Sequence, residues 1–157
     1  MRRIAVTGHR GLPPDVERAV EEALRARLAA LGPGVIGLSC LADGADTLFA
    51  RAVIEAGADL EAIVPAERYR DGLPPAHRPV YDALVARAAL VHHLPFAEST
   101  PRAHLEAGRY MVDHSDELLA VWDGRAARGP GGTADIVAYA RERDRAVTVI
   151  WPDGAVR

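Results

Sequence analysis

The sequence contains no lysine: all 19 of its Lys+Arg residues are arginine. That excludes chemistry built on a side-chain amine. A P-loop needs a lysine on the β/γ-phosphates, and Schiff-base or pyridoxal-phosphate catalysis needs a lysine nucleophile. Anion recognition is left to arginine, backbone N–H groups and helix N-termini, which favour multidentate contact. Cysteine is nearly absent as well. Cys40 stands alone, so an internal disulfide and any multi-thiolate zinc or iron–sulfur site are excluded, which fits a reducing, cytoplasmic setting. Long apolar runs are missing too. None approaches the roughly 18 residues of a membrane span, and Ile4-Ala5-Val6 behind Arg2-Arg3 falls short of the roughly 7–15 residues of an export signal. A soluble chain with no membrane partner is expected.

What is present suits one domain over residues 1–157, long enough to bury most of its apolar surface. The formal charge of −3 gives no global attraction to nucleic acid, and no basic stripe is visible, so a nucleic-acid partner is disfavoured. Apolar runs of strand length alternate with amphipathic helical segments throughout. The pattern predicts an α/β chain: a Rossmann-like three-layer sandwich with a mostly parallel central sheet of about six strands. Strands are expected at Ile4–Gly8, Val35–Cys40, Leu60–Val64, Leu90–Leu94, Leu118–Trp122 and Ala146–Trp151. Helices are expected from Pro13-Pro14 to Leu31, then at Asp46–Ala56, Val80–Ala89, Arg102–His114 and Ala134–Arg143. The proline-rich segment Ala66–Pro79 reads as a surface loop, of a length that often folds over a site.

Ligands of such sheets bind beyond the carboxyl ends of the strands, where strand order reverses. Three strand-end turns are rich in small and polar residues. In Thr7-Gly8-His9-Arg10-Gly11, the glycines allow close backbone approach and Arg10 can pair with a carboxylate or phosphate; a plain tight turn accounts for the glycines equally. In Cys40-Leu41-Ala42-Asp43-Gly44-Ala45-Asp46, Asp46 reads as a cap or dipole partner of the next helix, and Asp43 as a ligand for hydroxyl groups. The third follows Trp122-Asp123-Gly124. There Gly129-Pro130-Gly131-Gly132-Thr133 opens a helix and leaves its first N–H groups for a phosphate, unless Thr133 is simply an N-cap. Arg125 and Arg128 flank this turn, as phosphate clamps or as solvated charges.

Metal chemistry finds little support. His92 and His93 are adjacent on a strand and point to opposite faces. His104 and His114 are ten residues apart, not at the i, i+4 spacing of a helical zinc pair. No metal and no cofactor is expected, and Cys40 reads as a small buried hydrophobe.

Four motifs, in order along the chain, resemble the SLOG superfamily: Thr7-Gly8-His9-Arg10, Ser39-Cys40-Leu41-Ala42-Asp43-Gly44-Ala45-Asp46, Val112-Asp113-His114-Ser115-Asp116 and Gly131-Gly132-Thr133-Ala134-Asp135. That superfamily includes LOG-type phosphoribohydrolases, DprA, YpsA-like proteins and molybdenum-cofactor-carrier-like proteins. The resemblance spans nearly the whole chain and implies a Rossmann-like fold, commonly dimeric, holding nucleotides or nucleotide-derived ligands at its glycine-rich turns. With the strand-end reading, ligand contacts are expected from Gly8, His9, Arg10, Asp43, Gly44, Asp123, Gly131, Gly132 and Thr133. LOG-type enzymes carry Pro-Gly-Gly-x-Gly-Thr-x-x-Glu, whose glutamate serves glycosidic cleavage. Here Ile136 stands at that position, and the nearest carboxylate, Asp135, is turned about 100° around the helix.

The expected function is binding or sensing of a nucleotide-type ligand. The alternative is a nucleoside 5′-monophosphate phosphoribohydrolase, with Asp135 or Asp123 stabilising the developing sugar cation and Arg10 or Arg109 on the phosphate. The expected partners are a small-molecule nucleotide and, from the resemblance, a second copy of the chain.

Overall fold

The computed structural model describes residues 1–126 and 132–156. Six strands, β1 (Arg2–Gly8), β2 (Val35–Ser39), β3 (Asp59–Val64), β4 (Leu90–His93), β5 (Glu117–Val121) and β6 (Ala146–Ile150), form one sheet in the order β4-β3-β2-β1-β5-β6. Every pairing is parallel. Parallel neighbours need crossovers, and these supply the helices α1 (Pro14–Leu31), α2 (Ala45–Glu55), α3 (Arg78–Arg87), α4 (Pro101–Asp113) and α5 (Thr133–Glu142). The α/β Rossmann-like architecture read from the sequence is the observed one.

Burial on both faces explains why the inner strands β1, β2, β3 and β5 read as apolar runs; the edge strands β4 and β6 have no buried residue. Ile4 and Val6 face a cluster that contains Val16, Val20, Leu24 and Leu28 of α1 and Leu48, Phe49 and Val53 of α2. Ala5, Leu38, Ile63, Leu118 and Ala120 face the other way, onto Ala107, Met111 and Val112 of α4 and Ile136, Val137 and Ala140 of α5. The helices bury a stripe at three- and four-residue spacing, as an amphipathic helix must. Helices α4 and α5 pack closely because Gly108 has no side chain: a Cβ there would lie 2.3 Å from Ile136 Cδ1.

Arginine also serves the interior. Glu117, 1% exposed, accepts hydrogen bonds from Arg2 at 2.6 Å, Arg27 at 2.9 Å and Thr148 at 2.8 Å. Glu61 accepts two from Arg3, at 2.9 and 3.1 Å, and lies 2.8 Å from His92 Nε2. Each buried carboxylate is thus paired and hydrogen-bonded, the condition under which a buried charge is tolerated. His92 has a structural place here, with Tyr110 Oη 3.1 Å from its Nδ1.

Residues 66–79 differ from the expected surface loop. They form single 3-10 turns at Arg70–Gly72 and Pro75–His77 and bury Ala66, Tyr69, Leu73 and His77. Glu67 N–H donates to Phe96 O at 2.8 Å and Arg68 N–H to Ala97 O at 3.0 Å, tying the segment to the loop after β4. The reason is the four-residue spacing of Tyr69, Leu73 and His77, which anchors one side of a segment whose polar residues face solvent. Among the described residues, no helix is long and apolar enough to cross a membrane.

Candidate functional site

The chain winds outward from β1 through β2, β3 and β4, then returns to β5 on the other side of β1. The reversal opens a crevice beyond the carboxyl ends of β1 and β5.

His9 sits at its floor, 7% exposed. Its N–H donates to Val121 O at 3.1 Å, and its carbonyl accepts from Ala45 N–H at 3.2 Å. The Asp123 amide donates to His9 Nε2 at 3.1 Å, and Asp123 Oδ1 lies 3.3 Å from the same nitrogen. Trp151, just after β6, meets the imidazole edge-on at 5.4 Å. One side chain therefore joins the ends of β1, β5 and β6.

Two glycines permit this convergence. A Cβ on Gly8 would lie 2.5 Å from Ala45 Cβ and 2.7 Å from Val121 Cβ. Gly44 has a φ of 84°, and its Cβ would lie 2.6 Å from His9 O. The space these residues leave is filled by protein, so α2 starts directly against the β1 turn.

Arg10 and Asp43 form the lip, with Nη2 2.6 Å and Nε 2.9 Å from Asp43 Oδ1. Burial works against the Arg10 charge, but the hydrogen bond and charge of Asp43 outweigh it and raise its pKa. Behind them lies Asp46, whose Oδ2 accepts from Ala42 N–H at 3.3 Å. Burial pushes its carboxyl up to about 7, against the pull of that N–H and of Arg10; Asp43 pushes it further. Burial, then the neighbouring Asp46, raises the Cys40 thiol well above its usual range, so Cys40 is protonated and no nucleophile.

The turn that carries these groups is itself strained. Leu41 is fully buried with a φ of 61°, a conformation that costs a β-carbon residue about 1–3 kcal/mol. Ser39 Oγ accepts from Leu41 N–H at 3.1 Å, and His77 Nε2 lies 2.9 Å from Leu41 O. The 66–79 segment therefore braces the turn. It also delivers Tyr69, 4% exposed, whose ring meets Tyr81 edge-on at 5.8 Å and His104 at 5.7 Å. Burial, then the nearby Cys40 and Asp46, pushes the Tyr69 hydroxyl well up, so it stays protonated. His104, lowered by burial and by Arg10, has Nε2 2.8 Å from Ser99 Oγ.

Helix α5 opens at the same end of the sheet. Gly132, not Thr133, is its N-cap, and no side chain caps it; Thr133 is the first helical residue and is 8% exposed. The start of α2 also lacks a side-chain cap, whereas Thr100 caps α4 through Ala103 N–H at 3.1 Å. At α2 the first N–H, that of Ala45, is taken by His9 O, whereas an uncapped start such as that of α5 leaves N–H donors and the positive dipole end for an anion. Arg128, Gly129, Pro130 and Gly131 lie outside the described residues.

The structure thus brings together Gly8, His9, Arg10, Asp43, Gly44 and Asp123, with Gly132 and Thr133 opening α5 at the same sheet end. Asp123 is an enclosed carboxylate, its side chain 8% exposed, and its Oδ1 accepts from Arg125 N–H at 3.0 Å. Asp135 lies exposed on the first turn of α5. Ile136, 2% exposed, faces Gly108 in the core. Arg109 is not brought to the crevice: it lies in the second half of α4, 3.0 Å from Glu106 and stacked over Tyr139 at 5.4 Å. Asp113, His114, Ser115 and Asp116 line a cavity of about 470 Å³ with Arg3, Asp144 and Arg145, at the opposite end of the sheet. Asp46, Tyr69, His104 and Trp151 were not assigned to the site from sequence. Only Asp46, two residues after Gly44, carried a signal.

An all-parallel sheet with this reversal of strand order, its strand-end turns gathered on one side, is a Rossmann-like α/β fold. No family model and no curated protein matches the chain. Among solved structures, DNA processing protein A (DprA) from Streptococcus pneumoniae superposes with a TM-score of 0.72 at 19% identity, over 98% of this chain and 52% of that one. DprA from Helicobacter pylori, described for its single-stranded DNA binding mode, gives 0.68 at 17% identity, over 94% of this chain and 64% of that one. The molybdenum cofactor binding protein from Rippkaea orientalis gives 0.63 at 16% identity, over 97% and 77%. The chain spans about half of the first protein and under two thirds of the second.

These neighbours correct one expectation. A small-molecule partner to the exclusion of nucleic acid does not follow, because a protein of this fold is described with a single-stranded DNA binding mode. Net charge is a sum over the whole chain, whereas a crevice acts through its local field.

Proposed function

We propose that the chain binds a nucleotide or nucleotide-derived ligand by its phosphate in the crevice between β1 and β5. The observation that carries this reading is the side-chain-uncapped start of α5 at the same sheet end as Arg10 and the His9–Asp123 contact. Helix N–H donors and an arginine are the groups a lysine-free chain has for a phosphate. In this reading Gly131, Gly132 and Thr133 take the phosphate, with Arg10 supplying charge. Calorimetric titration with nucleoside mono- and diphosphates, and separately with a short single-stranded oligonucleotide, tests it. Saturable binding of a phosphate-bearing ligand supports it, and no binding across the set contradicts it.

A second reading rests on Asp123, enclosed beside His9. A carboxylate there stabilises the sugar cation that forms as an N-glycosidic bond breaks. With Ile136 turned to the core, a phosphoribohydrolase would rely on Asp123 or on the exposed Asp135. Release of free base from nucleoside 5′-monophosphates, abolished by Asp123→Asn, supports this reading; no release above background rejects it.

A further inference from the structure

A fully buried leucine with a φ of 61°, Leu41 takes a left-handed setting that this residue type adopts only where its surroundings over-determine it. Here side chains do so. Leu41 N–H donates to Ser39 Oγ at 3.1 Å, and Leu41 O accepts from His77 Nε2 at 2.9 Å. Ala42 N–H donates to Asp46 Oδ2 at 3.3 Å, and Ala42 O accepts from Thr47 Oγ1 at 2.6 Å. Each backbone polar group of the two residues is thus clamped by a side chain rather than by a helix or a strand. Ser39 is itself fixed, its hydroxyl donating to Asp46 O at 3.0 Å.

Three of the clamps are local, two, four and five residues along the chain; His77 stands 36 residues from Leu41. A carbonyl only accepts, so His77 Nε2 carries a proton and donates it. The same nitrogen lies 3.4 Å from Thr47 Oγ1, whose hydrogen is spent on Ala42 O, and this joins two of the clamps. His77 is buried at the end of the 3-10 turn Pro75–His77. Upstream, Glu67 and Arg68 pin the segment to the loop after β4, and Tyr69 and Leu73 bury their side chains.

The residue after the clamped pair is Asp43, whose carboxylate holds Arg10 at the lip of the crevice. We infer that His77 is a positioning residue: by holding Leu41 O it presents Asp43 to Arg10, so that docking of the 66–79 segment sets the affinity of the crevice for its ligand. Released from His77, Leu41 relaxes to negative φ and Asp43 leaves Arg10. The guanidinium must then be ordered on binding, at a cost in affinity. The role of Arg10 toward a ligand rests on the phosphate reading above; the hold of His77 on the turn does not.

The test compares the wild-type chain with His77→Phe, which keeps a ring without a donor, and His77→Gln, whose amide keeps an N–H donor. Leu73→Ala, which loosens the segment and keeps all four clamping side chains, is a second handle should His77→Phe not fold. Two quantities are measured: hydrogen–deuterium exchange of peptides covering residues 40–46, and calorimetric titration with inorganic phosphate and adenosine 5′-monophosphate. In His77→Phe, exchange at 40–46 is expected to rise about tenfold while β1 and β5 stay as in the wild type. Affinity for the probe is expected to fall about fivefold in His77→Phe, the worth of one net hydrogen bond, and to stay within about twofold of wild type in His77→Gln. Leu73→Ala moves both quantities in the direction of His77→Phe. The inference is overturned if exchange rises as much in β1 and β5 as at 40–46, if affinity is unchanged in His77→Phe, or if His77→Gln is equally impaired. If the wild type binds neither probe, the phosphate reading fails and the claim on affinity with it, while exchange still decides whether His77 holds the turn.

Discussion

His9 Nε2 accepts the Asp123 amide at 3.1 Å and thereby ties the turn after β1 to the turn after β5 across the reversal of strand order. The contact explains why a 7%-exposed histidine stands at the floor of a polar crevice. It positions the two turns that face a ligand.

Replacing His9 with Ala leaves that amide without its acceptor and removes the edge contact with Trp151. The expected loss of stability is about 1–3 kcal/mol, read as a lower urea midpoint with unchanged slope. A midpoint within error of wild type would deny His9 its joining role.

Asp46 places a pH dependence in the fold. Its folded pKa is raised from the model-peptide value of 3.8 to about 7. The native carboxyl keeps its proton where the unfolded one has lost it, so stability falls as pH rises from about 4 to 7 and then levels. Asp46→Asn removes that slope. Thermal melts at pH 5 and pH 8.5 are expected to show the variant gaining about 2 kcal/mol on wild type across the interval, or about 4–8 °C. A constant difference between the two melts would show that Asp46 is not held protonated. A stabilising variant at this position would also mark Asp46 as a residue whose cost is borne for the site.

Gly44 and Gly11 both have positive φ, 84° and 61°, but differ in surroundings. A methyl group at Gly11 meets nothing within 4 Å, whereas at Gly44 it meets His9 O at 2.6 Å. Gly11→Ala is expected to cost about 1 kcal/mol from backbone strain alone. Gly44→Ala adds a clash and is expected to cost about 3 kcal/mol or more. Parallel chemical denaturation of the two variants checks the order, and equal losses would contradict the close approach of α2 to the β1 turn.

The inner strands are readable from sequence because burial on both sides leaves apolar runs, and the edge strands β4 and β6 follow from their places between helical segments; β1 to β6 differ from expectation by a residue or two at most. The extension of β1 back to Arg2 was hidden, since Arg2 and Arg3 look like surface charges until their partners Glu117 and Glu61 are known. The 66–79 segment hides in the same way: the spacing of Tyr69, Leu73 and His77 is visible, but the distant residues that they pack on, Leu41 among them, are not. In the site, Arg10, Asp43 and Asp123 followed from their places at strand ends. In sequence Asp46 reads only as a cap or dipole partner, because the burial that holds its carboxyl up to about 7 comes from tertiary folding. The partner expectation failed because composition averages over a surface on which one crevice decides.

The most direct test of the central claim is calorimetric titration of the wild-type chain and its Arg10→Ala variant with a nucleoside 5′-monophosphate. Saturable wild-type binding that weakens at least about tenfold in the variant, as expected for loss of a charge-assisted contact, is the predicted result. Absence of binding to the wild type, or equal affinity in both proteins, would contradict a phosphate site in this crevice.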